Sequence, residues 1–203
     1  MRSTVLTLVG ICLLVGAIAI AALTFYPVVS QEISYRLKPQ SSLRQVSLSG
    51  EKPDSLLPVD KEFGIVIPKI GANAKVVANV DPYDAKVYQR ALTEGVAHAK
   101  GTAFPGQPGN IFIFSHSSAN FFEASRYNSV FYLLSKMEQG DEIILAYREE
   151  LYTYRITDKR IVASSDVSYL SGASPEPTLT LMTCWPPGTT FKRLIVRGQL
   201  EGI

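Results

Sequence analysis

An excess of charge of one sign is almost absent from this sequence. Its 203 residues contain 20 Lys and Arg against 18 Asp and Glu, which leaves a formal net charge of +2. A protein that binds nucleic acid through a basic face carries a larger positive excess, and a disordered acidic tail carries a large negative one. The composition therefore excludes both classes, and no nucleic-acid partner is expected.

Metal ligands and phosphate-binding loops are also scarce. The sequence has two histidines and two cysteines, and their positions do not show the paired spacing of a zinc site. The stretch from Gly101 to Gly109 contains two prolines and precedes a predicted strand rather than a helix, so it lacks the form of a phosphate-binding loop. We therefore expect neither a metal nor another cofactor.

Only one long apolar run is present. Residues 5–26 carry no charge and are nearly all apolar, and as a helix they would measure roughly 33 Å, enough to cross a bilayer. We predict a short end at 1–4 and a transmembrane signal anchor at 5–26. A cleaved signal peptide is the alternative, but its small-x-small sites lie inside the run, which favours the uncleaved anchor. Basic residues flank both sides and leave the orientation open.

The two cysteines have different surroundings. Cys12 lies in the middle of the predicted span, so a disulfide between Cys12 and Cys184 is geometrically implausible. Cys184 is therefore the only thiol of the folded part of the chain, and an unpaired thiol there needs an explanation.

The rest of the chain divides into a linker and one folded domain. Residues 27–61 are rich in serine and proline without a sustained hydrophobic period, which predicts a flexible linker. Residues 62–203 contain about eight strand patterns and two helical ones, which predicts a mostly β fold, a closed eight-stranded barrel with two or so short helices. The predicted strands are 63–70, 74–80, 110–114, 141–146, 151–156, 159–163, 178–183 and 193–200.

Local patterns add detail to this fold. A proline inside 63–70 indicates an edge strand. Asp81 and Pro82 predict the N-cap and first turn of a helix that ends near residue 92, and 95–110 is predicted to be a loop. Apolar residues at helical spacing predict a second helix over 130–137.

Three reactive side chains stand at predicted strand ends: His116, Cys184 and Arg193. A thiolate attacks acyl groups, an imidazole can accept the thiol proton, and a guanidinium can stabilise an oxyanion. Each residue alone has an ordinary structural explanation, as a core thiol, a hydrogen-bonded histidine or a solvated arginine. Together they are sufficient for acyl transfer without a metal.

The motifs around these residues resemble those of the sortases, the cysteine transpeptidases of bacterial cell surfaces. Thr180-Leu-Met-Thr-Cys184 is similar to the family's TLxTC signature, and Arg193-Leu-Ile-Val-Arg-Gly198 is similar to its arginine strand. The stretch from Gly95 to His116 is similar to the segment that leads to the catalytic histidine. The match makes Arg193, not Arg197, the equivalent of the catalytic arginine.

The resemblance implies a mechanism and partners. Cys184 would attack the Thr–Gly bond of an LPxTG-like sorting signal at the C-terminus of a secreted protein. An amine, such as that of a peptidoglycan precursor, would then resolve the thioacyl-enzyme. His116 would act as general acid and base, and Arg193 would hold the substrate or stabilise the oxyanion. The residues expected to contact the substrate are Thr183, Ser117 and Leu181.

The resemblance also implies a location. Sortases usually have an N-terminal anchor followed by a linker, so we expect a single-pass protein of the cell membrane. Its N-terminus would be cytoplasmic, its catalytic domain extracellular, and the lipid bilayer a partner of the N-terminal helix.

Two alternative functions stay open: a non-catalytic, membrane-tethered β-barrel binding module, and a pilus-assembling sortase. Asp81-Pro82-Tyr83 is similar to the lid motif of pilus-building sortases, but it follows the first core strands and is interpreted as a helix start. Papain-like enzymes place the cysteine before the histidine, whereas His116 precedes Cys184 by 68 residues here (184 − 116). L,D-transpeptidases carry a Ser-His-Gly-Cys cluster, which does not surround Cys184.

Overall fold

The computed structural model of the chain describes residues 2–37, 46–49, 56–117, 130–170 and 174–202. The chain forms two compact units, Met1–Pro39 and Gln40–Ile203.

The first unit is one helix, α1 (Arg2–Leu37). The helix continues past the apolar run and includes residues 27–37, which the sequence predicts as the start of the linker. Predicted linker residues 38–45 and 50–55 lie outside the described residues. Within the described ranges, no helix has both the length and the apolar character needed to cross a membrane. The predicted span over 5–26 is therefore not supported by the structure.

The second unit contains a closed barrel of eight strands, which confirms the predicted fold class. The strand order around the barrel is β1-β2-β3-β4-β7-β8-β6-β5, and β5 pairs back with β1. The pairs β2–β3 and β4–β7 are parallel, and the other pairs are antiparallel. The strands are β1 (Phe63–Ile67), β2 (Ala72–Val80), β3 (Val96–Ala99), β4 (Asn110–Phe114), β5 (Glu142–Tyr147), β6 (Glu150–Ala163), β7 (Thr178–Trp185) and β8 (Lys192–Leu200).

The first strand is not an edge strand, so that prediction is wrong. β1 pairs with β2 on one side and with β5 on the other, and all five of its residues are buried. Pro68 lies just beyond β1, in a 3₁₀ turn (Pro68–Ile70), where its missing N–H removes no hydrogen bond from the strand ladder. Closure of the barrel leaves no edge at this position, and local sequence carries no signal for closure.

Two other strands differ from prediction. β3 lies inside the stretch predicted as a loop, because four residues between glycine-rich segments are too few to show a hydrophobic period. β6 is one strand of 14 residues where the sequence predicts two, 151–156 and 159–163. A register shift between Ile156 and Asp158 interrupts the alternation of side chains without ending the strand.

The helix after β2 begins three residues later than predicted. This helix, α2 (Ala85–Glu94), has Asp84 rather than Asp81 as its N-cap. The Asp84 Oδ1 accepts hydrogen bonds from the N–H groups of Lys86 (2.9 Å) and Val87 (3.2 Å). The Asp81 Oδ1 instead accepts a hydrogen bond from the Tyr83 N–H (2.9 Å), in the turn before the helix. Both aspartates have the right chemistry for a cap, and the chain path after β2 decides between them.

Packing fixes α2 on the barrel wall. Ala91 and Leu92 are buried in a cluster with Phe112 and Phe114 of β4. Gly95 caps the C-terminal end of the helix, and a Cβ atom at this position would lie 2.2 Å from the Lys75 carbonyl oxygen. Glycine is therefore required for this close approach of the chain to β2.

The helix predicted over 130–137 is a short 3₁₀ helix (Tyr132–Lys136) in the structure. The prediction of a longer helix is therefore wrong, whereas its apolar side is buried as the spacing indicates. Lys159 of β6 donates hydrogen bonds to the carbonyl oxygens of Ser135 (2.9 Å) and Met137 (2.7 Å). The lysine satisfies carbonyl oxygens at the C-terminal end of this helix, where the helix backbone offers no further N–H donors.

His98 is a buried structural histidine on β3. Its Nδ1 accepts a hydrogen bond from the Asn79 N–H (3.3 Å), and its Nε2 lies 3.0 Å from the Ala103 carbonyl oxygen. Because a carbonyl only accepts, Nε2 carries the proton and the ring is neutral. Asn79 has a φ of 56° at the register shift between β2 and β3, so the imidazole supports an irregular backbone. Burial lowers the pKa of His98 below 6.5, although the Ala103 carbonyl opposes this shift.

This environment predicts an acid-sensitive stability. Between the unfolded pKa near 6.5 and the lower folded pKa, the unfolded chain binds more protons, so stability falls as the pH decreases through that window. We expect the melting temperature of the wild type to fall between pH 7.5 and pH 5.5. The contribution of His98 to this loss is at most about 1.4 kcal/mol of unfolding free energy per pH unit. His98→Gln should be less stable at pH 7.5 and should show a flatter pH dependence.

His116→Gln is the matched control, since the chain has two histidines. It removes the other histidine and so measures the part of the pH dependence that does not come from His98. The same acid loss in His98→Gln as in the wild type would contradict the assignment.

Candidate active site

The register of two parallel strands places His116 beside Cys184. Residues 110–114 of β4 lie opposite residues 178–182 of β7, each pair separated by 68 positions in sequence. Hydrogen bonds extend the pairing beyond the end of β4, because the Ser115 N–H donates to the Met182 carbonyl (3.2 Å). Continued two residues past the end of β4, the same offset of 68 brings His116 to the level of Cys184, and both residues line one cleft.

Arg193 stands on the other side of the cysteine. β7 and β8 are antiparallel, and Cys184 is paired directly with Arg193. Since directly opposed residues share a face of the sheet, Cys184 and Arg193 point to the same face. His116, two residues past the end of β4, completes a row with them along the cleft. His116 and Cys184 are 68 positions apart in sequence, and Cys184 and Arg193 are 9 apart. The pairing of the strands brings these residues together.

All three residues line one cleft of about 360 Å³. Cys184, His116 and Arg193 are each half-buried, so the row is reachable from solvent through the cleft. The walls are mostly apolar and come from α2, β4, β7 and the connection between β6 and β7. The principal apolar wall residues are Tyr88, Leu92, Phe114, Tyr169, Leu170 and Met182.

The row has the groups that acyl transfer needs. The thiol of Cys184 is free, and the His116 imidazole, a group that can accept a thiol proton, lines the same cleft. The Arg193 Nη1 donates to the carbonyl oxygens of Thr190 (3.1 Å) and Lys192 (3.0 Å), which hold the guanidinium group near the start of β8. Among the described residues, no three His, Cys, Asp or Glu side chains converge as metal ligands.

The residues predicted to contact substrate have different positions. Thr183 lines the cleft, and its buried hydroxyl donates to the Ser115 carbonyl (2.9 Å). Ser117 is buried next to His116 and does not contribute to the cleft lining. Leu181 is fully buried and alternates with Met182, so it belongs to the barrel core and not to the cleft.

Sequence reasoning missed the apolar walls of the cleft. Tyr88 and Leu92 are four residues apart on α2, and this helical spacing could have indicated one face. Pro82 and Tyr83, in the turn before α2, also line the cleft. No sequence signal shows that the connection between β6 and β7 folds back onto β4.

Known proteins are similar in sequence to this domain. Residues 65–201 match the sortase domain family. Sortase D of Bacillus subtilis (strain 168) is 30% identical over 138 residues, which are 66% of this chain and 60% of that protein. Sortase A of Streptococcus agalactiae serotype III (strain NEM316) is 27% identical over 165 residues, 79% of this chain and 62% of that protein. The chain thus spans about three fifths of the length of these two curated relatives.

Solved structures share its fold. Sortase C-1 from Actinomyces oris superposes with a TM-score of 0.59 at 26% identity, over 71% of this chain and 76% of that one. A Sortase D5 transpeptidase from Clostridium perfringens superposes with a TM-score of 0.56 over 89% of this chain and 99% of that one. Its identity of 22% supports the fold alone.

The family match covers well over half of the chain, includes His116, Cys184 and Arg193, and coincides with the barrel that places them in one row. The chain belongs to the sortase family.

Proposed function

We propose that this chain is a cysteine transpeptidase that cleaves an LPxTG-like sorting signal of secreted proteins and transfers the acyl group to an amine of the cell wall. The observation that carries the proposal is the row of His116, Cys184 and Arg193 in one cleft. The apolar walls suit the leucine and proline side chains of such a signal.

The first half of the reaction is acylation. His116 takes the proton of Cys184, and the thiolate attacks the threonine carbonyl carbon of the signal. Arg193 supplies positive charge at the carbonyl oxygen of the tetrahedral intermediate. The C–N bond to glycine then breaks as His116 returns the proton to the leaving amine, which leaves a thioacyl bond on Cys184.

The second half is transfer. His116 takes a proton from the incoming amine, whose nitrogen attacks the thioester carbonyl. A C–N bond forms, the C–S bond breaks, and the cysteine is regenerated. The same three side chains therefore serve both halves.

A pilus-assembling activity is the second candidate. It is favoured by Pro82 and Tyr83, which belong to the lid-like sequence and line the cleft. The two functions differ in the acceptor: a wall-type peptide amine against the lysine of a second protein. An acceptor competition assay with both amines distinguishes them by the product that forms.

Cys184 should be essential for cleavage. We expect Cys184→Ala to abolish cleavage of fluorogenic LPxTG-type peptides, whereas Cys12→Ala should retain full activity. Mass spectrometry should detect a thioacyl adduct on the wild type and none on Cys184→Ala. Equal cleavage by the wild type and Cys184→Ala, or no adduct with any peptide of the panel, would favour a non-catalytic binding module.

His116 and Arg193 should each be needed for turnover. We expect His116→Ala to lower kcat/KM by about 10²–10⁴-fold and Arg193→Ala by about 10²–10³-fold, with the fold retained. Arg197→Ala is the matched control, because Arg197 is on the same strand and does not line the cleft. Activity in Arg193→Ala equal to that of Arg197→Ala would remove the proposed role of Arg193.

The location of the catalytic domain is a further part of the proposal and rests on the sequence. Residues 5–26 carry no charge, and we propose that they hold the protein at the cell membrane with the lipid bilayer as partner and the catalytic domain outside. The full chain should sediment with membranes and be released by detergent but not by alkaline carbonate. A variant without residues 1–30 should stay in the supernatant, and equal partition of both proteins would contradict an anchor.

A further inference from the structure

Asn110 occupies a buried position at the start of β4, six residues before His116. Only 6% of its surface is exposed. Its Oδ1 accepts hydrogen bonds from the hydroxyls of Thr180 (2.8 Å) and Thr178 (3.3 Å), both on β7. Its Nδ2 donates to the carbonyl oxygen of Tyr169 (3.1 Å). One side chain therefore joins two strands and a loop.

The amide can take only one orientation. A backbone carbonyl has no proton to give, so the nitrogen of Asn110 must face Tyr169. The oxygen then faces the two threonine hydroxyls, which can donate. Both the oxygen and the nitrogen of this buried amide therefore have hydrogen-bond partners. Through them, Asn110 links the β7 threonines to the Tyr169 backbone.

Tyr169 belongs to the connection between β6 and β7, residues 164–177. Tyr169 and Leu170 line the cleft and pack against the cluster that contains Phe112 and Phe114. They form the cleft wall that faces α2 across the apolar cluster. The position of this wall determines how well an apolar peptide segment fits.

Hydrogen bonds within this connection are short in range. The Asp166 N–H donates to the Ala163 carbonyl (3.1 Å), and the Leu170 N–H donates to the Val167 carbonyl (3.0 Å). Bonds that span three residues shape the connection but do not hold it against the barrel. Two longer-range contacts do hold it: the Asn110 amide reaches the Tyr169 backbone across 59 positions of sequence, and Arg160 of β6 hydrogen-bonds the Tyr169 side chain. Of the two, only the Asn110 amide ties the Tyr169 backbone to β4.

We propose that Asn110 is a positioning residue that holds the Tyr169–Leu170 wall in place for the peptide and so sets the affinity for the sorting signal. This inference rests on the proposed function, since the peptide is its ligand. Asn110 does not line the cleft and acts through Tyr169. Its position on β4 ties this wall to the strand that carries His116.

Asn110→Asp is the sharpest test, because it keeps an oxygen for the threonine hydroxyls and replaces the donor to Tyr169 with a second acceptor. Loss of a buried hydrogen bond of about 1.4 kcal/mol corresponds to about a tenfold change. We expect KM for an LPxTG-type peptide to rise about tenfold while kcat stays within about twofold. Asn110→Ala, which removes the donor without adding charge, is the second variant in case the buried carboxylate prevents folding.

Thr180→Val is the matched control. It removes the 2.8 Å hydrogen bond to Oδ1 and leaves the Nδ2 donor to Tyr169 intact. Its melting temperature should fall while KM stays within about twofold of wild type. An equal rise of KM in Thr180→Val, or a fall in kcat without a change in KM in both Asn110 variants, would overturn the positioning role.

Hydrogen–deuterium exchange of the 164–170 amides provides a readout that does not depend on turnover. Exchange should be faster in both Asn110 variants and unchanged in Thr180→Val. Unchanged exchange in the Asn110 variants overturns the inference even if the enzyme is active. If the wild type cleaves no peptide but exchange is still faster in the Asn110 variants, the result supports the hold of Asn110 on Tyr169 and refutes the proposed function.

Discussion

The parallel pairing of β4 with β7 is the interaction on which the rest of the site depends. It holds a constant offset of 68 residues from Asn110 to Phe114, and the bonds at Ser115 continue it to the level of the reactive residues. A slip of one residue would turn every β4 side chain to the opposite face and separate His116 from Cys184. The arrangement of these side chains is thus a consequence of main-chain hydrogen bonding.

Buried polar side chains reinforce this register. The amide oxygen of Asn110 on β4 accepts hydrogen bonds from the Thr178 and Thr180 hydroxyls on β7. The Thr183 hydroxyl donates a hydrogen bond to the Ser115 carbonyl. In an otherwise apolar interior these groups are satisfied only when β4 and β7 are in the observed alignment, and an unsatisfied buried group costs about 1–3 kcal/mol. The polar contacts therefore disfavour other registers of β4 and β7.

Much of the fold could be predicted because strand patterns are local. The runs at 110–114 and 178–183 are apolar or alternating, and the structure has strands there. The errors have local causes too: β3 is too short to show a period, β6 contains a shift that looks like a break, and two aspartates compete as the cap of α2. Barrel closure, which makes β1 an interior strand, depends on partners distant in sequence.

His116, Cys184 and Arg193 could be picked out as candidate reactive groups from residue type and from their places at strand ends. Folding adds that they line one cleft, that Leu181 lies in the core, and that α2 and Tyr169 wall the cleft. Chemical identity is a property of each residue, so it can be read from the amino-acid sequence. Adjacency across strands depends on hydrogen bonds and packing between segments tens of residues apart.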